Sequence, residues 1–143
     1  MTAYKSVQET NRTADPVVKL AAHEAGGRVR ALSFEYTTPG GGLTVNDTID
    51  LATFTQNGRL LGGAVAFEAM GASATAEIGT AASASRYLSA GAVAAVGQLD
   101  FAHTLALNTG ETVNGGTTLI AKVTGANWAA AKKFNGYVLF VAD

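Results

Sequence analysis

Cysteine is missing from all 143 residues, which excludes disulfides and thiolate metal sites. Histidine occurs only as His23 and His103, too few to assemble an imidazole-rich metal centre. Charge is scarce as well. Asp, Glu, Lys and Arg make up 15% of the chain, against about 25% in an average globular protein. Ten basic residues balance eleven acidic ones to a net charge of -1. Lys132-Lys133 is the only adjacent basic pair, so neither a phosphate-binding footprint nor a basic membrane patch can be built. That predicts no nucleic-acid partner and no membrane partner. No apolar run approaches the roughly 18–20 residues of a membrane helix. Residues 1–19 lack the apolar stretch of a secretory signal, which predicts synthesis in the cytoplasm.

What is abundant is small. Alanine is the commonest residue and there are 17 glycines. Alanine adds little burial energy, about 0.8 kcal/mol per methylene-sized group. A core built from it is expected to be thin, and better sustained when neighbouring subunits add buried area. The shortage of charge points the same way, because a solitary small domain needs polar groups over most of its surface. Both features predict a homo-oligomer. The length fits one domain.

Along the chain, residues 1–27 read as an N-terminal arm: polar, interrupted by Pro16, closed by Gly26-Gly27, with one apolar patch around Val17, Val18 and Leu20. From residue 28 the pattern switches to a period of two. Leu32, Phe34 and Tyr36 share one face, with Ala31, Ser33 and Glu35 on the other. Asn46-Asp47 reads as a turn, and Asn57-Gly58 as the strongest hairpin signal in the chain. Val65 and Phe67 alternate with Ala64 and Ala66, and the preceding Gly62-Gly63 predicts a bulge or a close backbone approach. Ala74, Ala76 and Ile78 form the inner face of another strand. Residues 81–97, rich in Ala, Ser and Gly, read as a loop with a weak strand. A strand carrying Leu99 and Phe101 follows, then turns at residues 108–111 and 114–116. Leu119, Ala121 and Val123 form the next inner face. One helical turn is expected around Trp128, and residues 134–141 form a closing strand. Eight or nine short strands without alternating helices specify an all-β chain: a jelly roll or related antiparallel β-sandwich over residues 28–143, preceded by the arm.

Catalytic parts do not assemble from these residues. There is no nucleophile elbow and no phosphate loop ending in Lys-Ser/Thr. Asp47 with Asp50, and Glu68 with Glu77, are carboxylate pairs of a kind that any eleven acids would generate. His103 and Asp100 sit at odd spacing, on opposite faces of a strand. The expectation is a non-enzyme with no cofactor and no metal. Trp128, Tyr87, Tyr137 and Phe140 have the ring chemistry to stack on a sugar, but such residues more often anchor cores or subunit interfaces.

The stretch Ala74-Thr75-Ala76-Glu77-Ile78-Gly79-Thr80, followed by Ala84-Ser85-Arg86-Tyr87-Leu88, resembles small structural proteins of tailed bacteriophages. The ending from Ala121-Lys122-Val123-Thr124-Gly125-Ala126 to Gly136-Tyr137-Val138-Leu139-Phe140-Val141 is similar too. The resemblance covers about residues 60–143 and lies in style and strand order. It implies a capsid decoration, or cement, protein: a β-sandwich, often trimeric, bound to the major capsid protein on the capsid exterior after synthesis in the host cytoplasm. By residue type, the expected interface positions are Tyr4, Val17, Val18 and Leu20 in the arm, and Arg86, Tyr87 and Trp128 in or near loops. The alternatives are another virion component, in a tail or head fibre, and a carbohydrate-binding β-sandwich module.

Overall fold

A computed structural model describes residues 28–101 and 111–142. The arm, with Tyr4, Val17, Val18, Leu20 and His23, and the segment holding His103 lie outside the described residues. Among the described residues there are nine strands: β1 (Val29–Thr37), β2 (Thr48–Thr53), β3 (Gly58–Phe67), β4 (Thr75–Thr80), β5 (Ser83–Ala92), β6 (Gly97–Phe101), β7 (Glu111–Val113), β8 (Thr118–Thr124) and β9 (Lys133–Ala142). The described residues hold no helix.

Every pairing is antiparallel, and the strands form two sheets. The first sheet runs β1-β9-β3-β6, with β7 also paired to β3, and the second runs β2-β8-β4-β5. Four pairings nest one inside the next around the turn at Ala81-Ala82: β1 with β9, β2 with β8, β3 with β6 and β7, and β4 with β5. One long antiparallel ribbon, wound so that successive pairs fall in opposite sheets, is a jelly roll.

Period-two patterning supplies the inner faces. Phe34 on β1, Ala76 and Ile78 on β4, Leu119, Ala121 and Val123 on β8, and Phe134, Val138 and Phe140 on β9 are all buried. Aromatic rings fill the space between the sheets. Phe54 meets Phe140 edge-on at 5.3 Å between centroids, and Trp128 lies 5.3 Å from Phe134. Fully burying side chains of this size stabilises by about 1.5–3 kcal/mol each. The thin alanine core expected from composition is therefore not what forms. Glycine makes the room. A Cβ on Gly63 would collide with Cζ of Phe101 and stand 2.5 Å from the carbonyl oxygen of Tyr137. The Gly62-Gly63 expectation holds in both senses, because β3 also shifts register against β9 between Leu60 and Gly62.

Three local readings are corrected. Asn57-Gly58 does not close a hairpin: β2 and β3 lie in different sheets, so the link between them is a crossover. Phe54 and Leu60, both buried, hold that link across the sandwich, and Asn57 Oδ1 accepts a hydrogen bond from the Gly115 N–H at 2.8 Å. The segment read as a loop with a weak strand contains β5, ten residues long. No helical turn surrounds Trp128, which forms a β-bridge with Leu43 through two backbone hydrogen bonds of 3.0 and 2.8 Å.

Candidate interaction surfaces

The outer face of the β2-β8-β4-β5 sheet is built for water. Lys122 on β8 stands between Thr48 on β2 and Glu77 on β4. Asp50 and Thr53 continue the polar stripe. Threonine pairs lace the strands: Thr53 and Thr118 hydroxyls are 3.0 Å apart, Thr75 and Thr124 hydroxyls 2.7 Å apart. Cross-strand polar pairs of this kind stabilise a solvated sheet face modestly, by about 0.2–1 kcal/mol each.

The outer face of the β1-β9-β3-β6 sheet differs. Its registers give four cross-strand rows: Val29-Val141-Arg59-Thr112, Ala31-Leu139-Gly62, Ser33-Tyr137-Ala64-Asp100, and Glu35-Asn135-Ala66-Gln98. The centre is apolar or small and carries no charge. Val29 is 55% exposed, Tyr137 45%, and Leu61, carried out of the ladder by the bulge, 41%. Beside the Tyr137 ring, a shallow depression of about 260 Å³ is lined by Ser33, Ala64, Ala66 and Gln98. Among the described residues, charges occur only toward the margins, as Glu35, Glu68, Asp100, Lys133 and Arg59. Nε of Arg59 is buried and has no hydrogen-bond partner among the described residues.

Arg86 lies on β5 and forms an ion pair with Glu111 of β7, tying the edge strand of one sheet to the other sheet. The hydrogen bond to Glu111 raises the Arg86 pKa further. Neighbouring Tyr87 is buried; burial, then the negative charge of Glu111, pushes its phenol above the usual value. Trp128 is a core residue, 2% exposed, with its indole N–H donating to the Thr75 carbonyl at 3.1 Å. Of the four rings weighed for sugar stacking, Trp128, Tyr87 and Phe140 are buried, and Tyr137 alone faces solvent. Tyr137 was weighed as a ring of this kind but is not among the interface positions expected by residue type. The period of β9 contained the signal, since Phe134, Val138 and Phe140 inward leave Tyr137 outward.

Of the four carboxylates singled out in sequence, Asp47 holds a turn and Glu68 a strand edge. Asp47 Oδ2 accepts from the Thr44 N–H at 2.8 Å and the Thr44 hydroxyl at 3.0 Å. Glu68 Oε2 accepts from the Lys133 N–H at 2.7 Å. Among the described residues, no three His, Asp or Glu side chains cluster as metal ligands would.

No protein-family model and no curated protein sequence matches this chain. Solved structures do share its fold. A chain in the cyanophage Pam1 capsid asymmetric unit is 22% identical with a TM-score of 0.68, and the match spans 100% of both chains. A chain in the capsid of Ralstonia phage GP4 is 17% identical with a TM-score of 0.66, covering 82% of this chain and 86% of that one. The likeness is one of fold, end to end in the first case.

Proposed function

We propose that this chain is a structural protein of a phage particle, a decoration protein seated on the capsid exterior as a homo-oligomer, a trimer being favoured. The observation that carries the reading is the whole-chain correspondence, at TM-score 0.68, with a chain of a phage capsid. The surfaces support it. The sandwich has one polar face and one whose centre carries no charge, and Asp47 and Glu68 are engaged in a turn and a strand edge. Residues 1–27 act as an arm ahead of the sandwich of residues 28–143. In this reading the partner is the major capsid protein, and the work is mechanical: bridging neighbouring shell subunits. A ligand that binds only the assembled shell stabilises it by mass action, and repetition over a symmetric lattice multiplies modest single contacts through avidity.

The test is addition of the purified chain to shells that lack it. Saturable binding, together with a raised temperature of shell disruption, is expected. Absence from purified virions would remove the proposal, and label found only on tails or fibres would reassign the chain to another part of the particle.

A further inference from the structure

We infer that the open edge of β1 is where two copies of this chain join, strand to strand across a two-fold axis. β1 pairs with β9 along all nine of its residues without a register shift. The phase of its hydrogen bonds is fixed at both ends. The Thr38 N–H donates to the Lys132 carbonyl, and the Ala142 N–H donates to the Arg28 carbonyl. In an antiparallel ladder every second residue turns its backbone groups toward the same neighbour. The even-numbered residues of β1 therefore face β9. Val29, Ala31, Ser33, Glu35 and Thr37 point their N–H and C=O groups the other way, where no strand among the described residues receives them. The other sheet edges are protected. β5 shifts register twice and carries Ala90 at φ 51°. β2 has six residues and a shift between Asp50 and Ala52, and β6 and β7 have five and three residues. β1 contains no bulge, proline or lysine, the usual devices against strand addition.

The pattern of β1 selects a second copy as the occupant. Among the described strands, only another β1 offers an open edge of equal length and regularity. A two-fold axis through Ser33, perpendicular to the sheet, sets Ser33 opposite the partner's Ser33. Ala31 then stands opposite the partner's Glu35, and Val29 opposite the partner's Thr37. Every backbone group on the open edge gains a partner, about ten hydrogen bonds in all, the number usual for a whole interface. Between these pairs Leu32 meets the partner's Phe34 and Arg30 meets the partner's Tyr36, at the positions where antiparallel side chains approach closest. Leu32 and Tyr36 belong to the inner face yet are only half-buried in the single chain, and this contact covers them. Arg30 can lie over the ring of the partner's Tyr36. The charged residues of β1 are Arg30 and Glu35, so no like charges stand opposite one another. Such a contact is isologous and closes on itself. It goes beyond the decoration reading and adds to whatever contact builds a trimer.

The experiment measures the mass of the full chain by sedimentation, where wild type should form even-numbered assemblies. Ser33→Lys places two ammonium groups at the axis and should weaken association about a hundredfold. Ala31→Lys faces the partner's Glu35 and should leave association unchanged or strengthen it up to about fivefold. Ser33→Pro removes an N–H that β9 does not use. Its unfolding transition should stay cooperative while association falls about tenfold or more. The chain has no cysteine, so Ser33→Cys should give a covalent dimer on mild oxidation, its Cα atoms being about 5.5 Å apart in this register. Val29→Cys, about 27 Å from its copy, should not. A wild type found only as monomer or trimer, equal losses from the two lysine variants, or Ser33→Cys that does not cross-link overturns the pairing. Ser33→Pro that keeps the wild-type mass but unfolds at lower temperature assigns the edge to a strand of the same chain and overturns it too. Pairing in a chain that never binds shells leaves the contact standing and removes the decoration reading. An unpaired chain that saturates shells does the reverse.

Discussion

Tyr87 and Arg86 are chain neighbours on one edge strand, and burial separates their roles. Arg86 is about half exposed, but the Glu111 Oε1 that it pairs with is buried, so removing the guanidinium leaves a buried carboxylate oxygen without its partner. Arg86→Met should cost about 1–3 kcal/mol in a denaturant titration. Tyr87 is buried, and its phenol is held protonated to higher pH than in the unfolded chain, where the pKa is near 10. Because the folded pKa is the higher one, the unfolded state loses its proton first. Stability tied to this group is thus complete below about pH 10 and declines as pH rises beyond it. Tyr87→Phe should flatten that alkaline decline in unfolding free energy measured against pH; an unchanged slope would place the titrating group elsewhere. Gly63 sits under Phe101 with no space for a methyl group. Gly63→Ala is expected to destabilise by about 1–3 kcal/mol through overpacking, and Trp128→Ala by about 3–5 kcal/mol through the cavity it leaves, both read from thermal or denaturant unfolding.

At the scale of elements, legibility followed the strength of the alternation. β1, β4, β8 and β9 were readable because apolar side chains recur at every second position, although on β4 only Ile78 among them is large. β5 was not, for two physical reasons. Seven of its ten residues are Ala, Ser or Gly, which carry little β preference, and its pairing with β4 shifts register twice, between Ala76 and Ile78 and between Ile78 and Thr80. Ala90, at φ 51°, marks one irregularity. Such breaks abolish the period that a sequence pattern needs, while they also make an edge strand a poor template for unwanted pairing. The Asn57-Gly58 error has a different origin. A turn signal is local, whereas the burial of Phe54 against Phe140 is set by a strand some eighty residues away in sequence. The candidate interface was legible in part: the alternation of β9 sent Tyr137 outward, but which strands lie beside it depends on the winding of the ribbon, which no local pattern encodes. The irregular pairing of β5 carries its own expectation. In native-state hydrogen exchange, β5 amides should exchange well before those of β9, which is paired on both sides, because local opening of an edge costs less than global unfolding.

For the whole molecule, the aromatic core changes what the low charge means. Phe54, Phe101, Trp128, Phe134 and Phe140, each at most 2% exposed, show that the sandwich does not need neighbours merely to fill its interior. In the proposed reading, neighbours are met at the surface and are not needed for the core. Stability and association should therefore separate. Removing residues 1–22 is expected to leave the unfolding transition of residues 28–143 close to that of the full chain. Protein concentration must be matched in that comparison, because association itself raises apparent stability by mass action. The same deletion should reduce oligomerisation or shell binding disproportionately, since every copy on the lattice would be without its arm and avidity compounds the deficit. Sedimentation and shell-binding titrations, run beside unfolding curves of both proteins, decide the matter. A truncated chain that still decorates shells at wild-type occupancy would leave the arm without a binding role, and one that fails to fold would make it part of the domain after all.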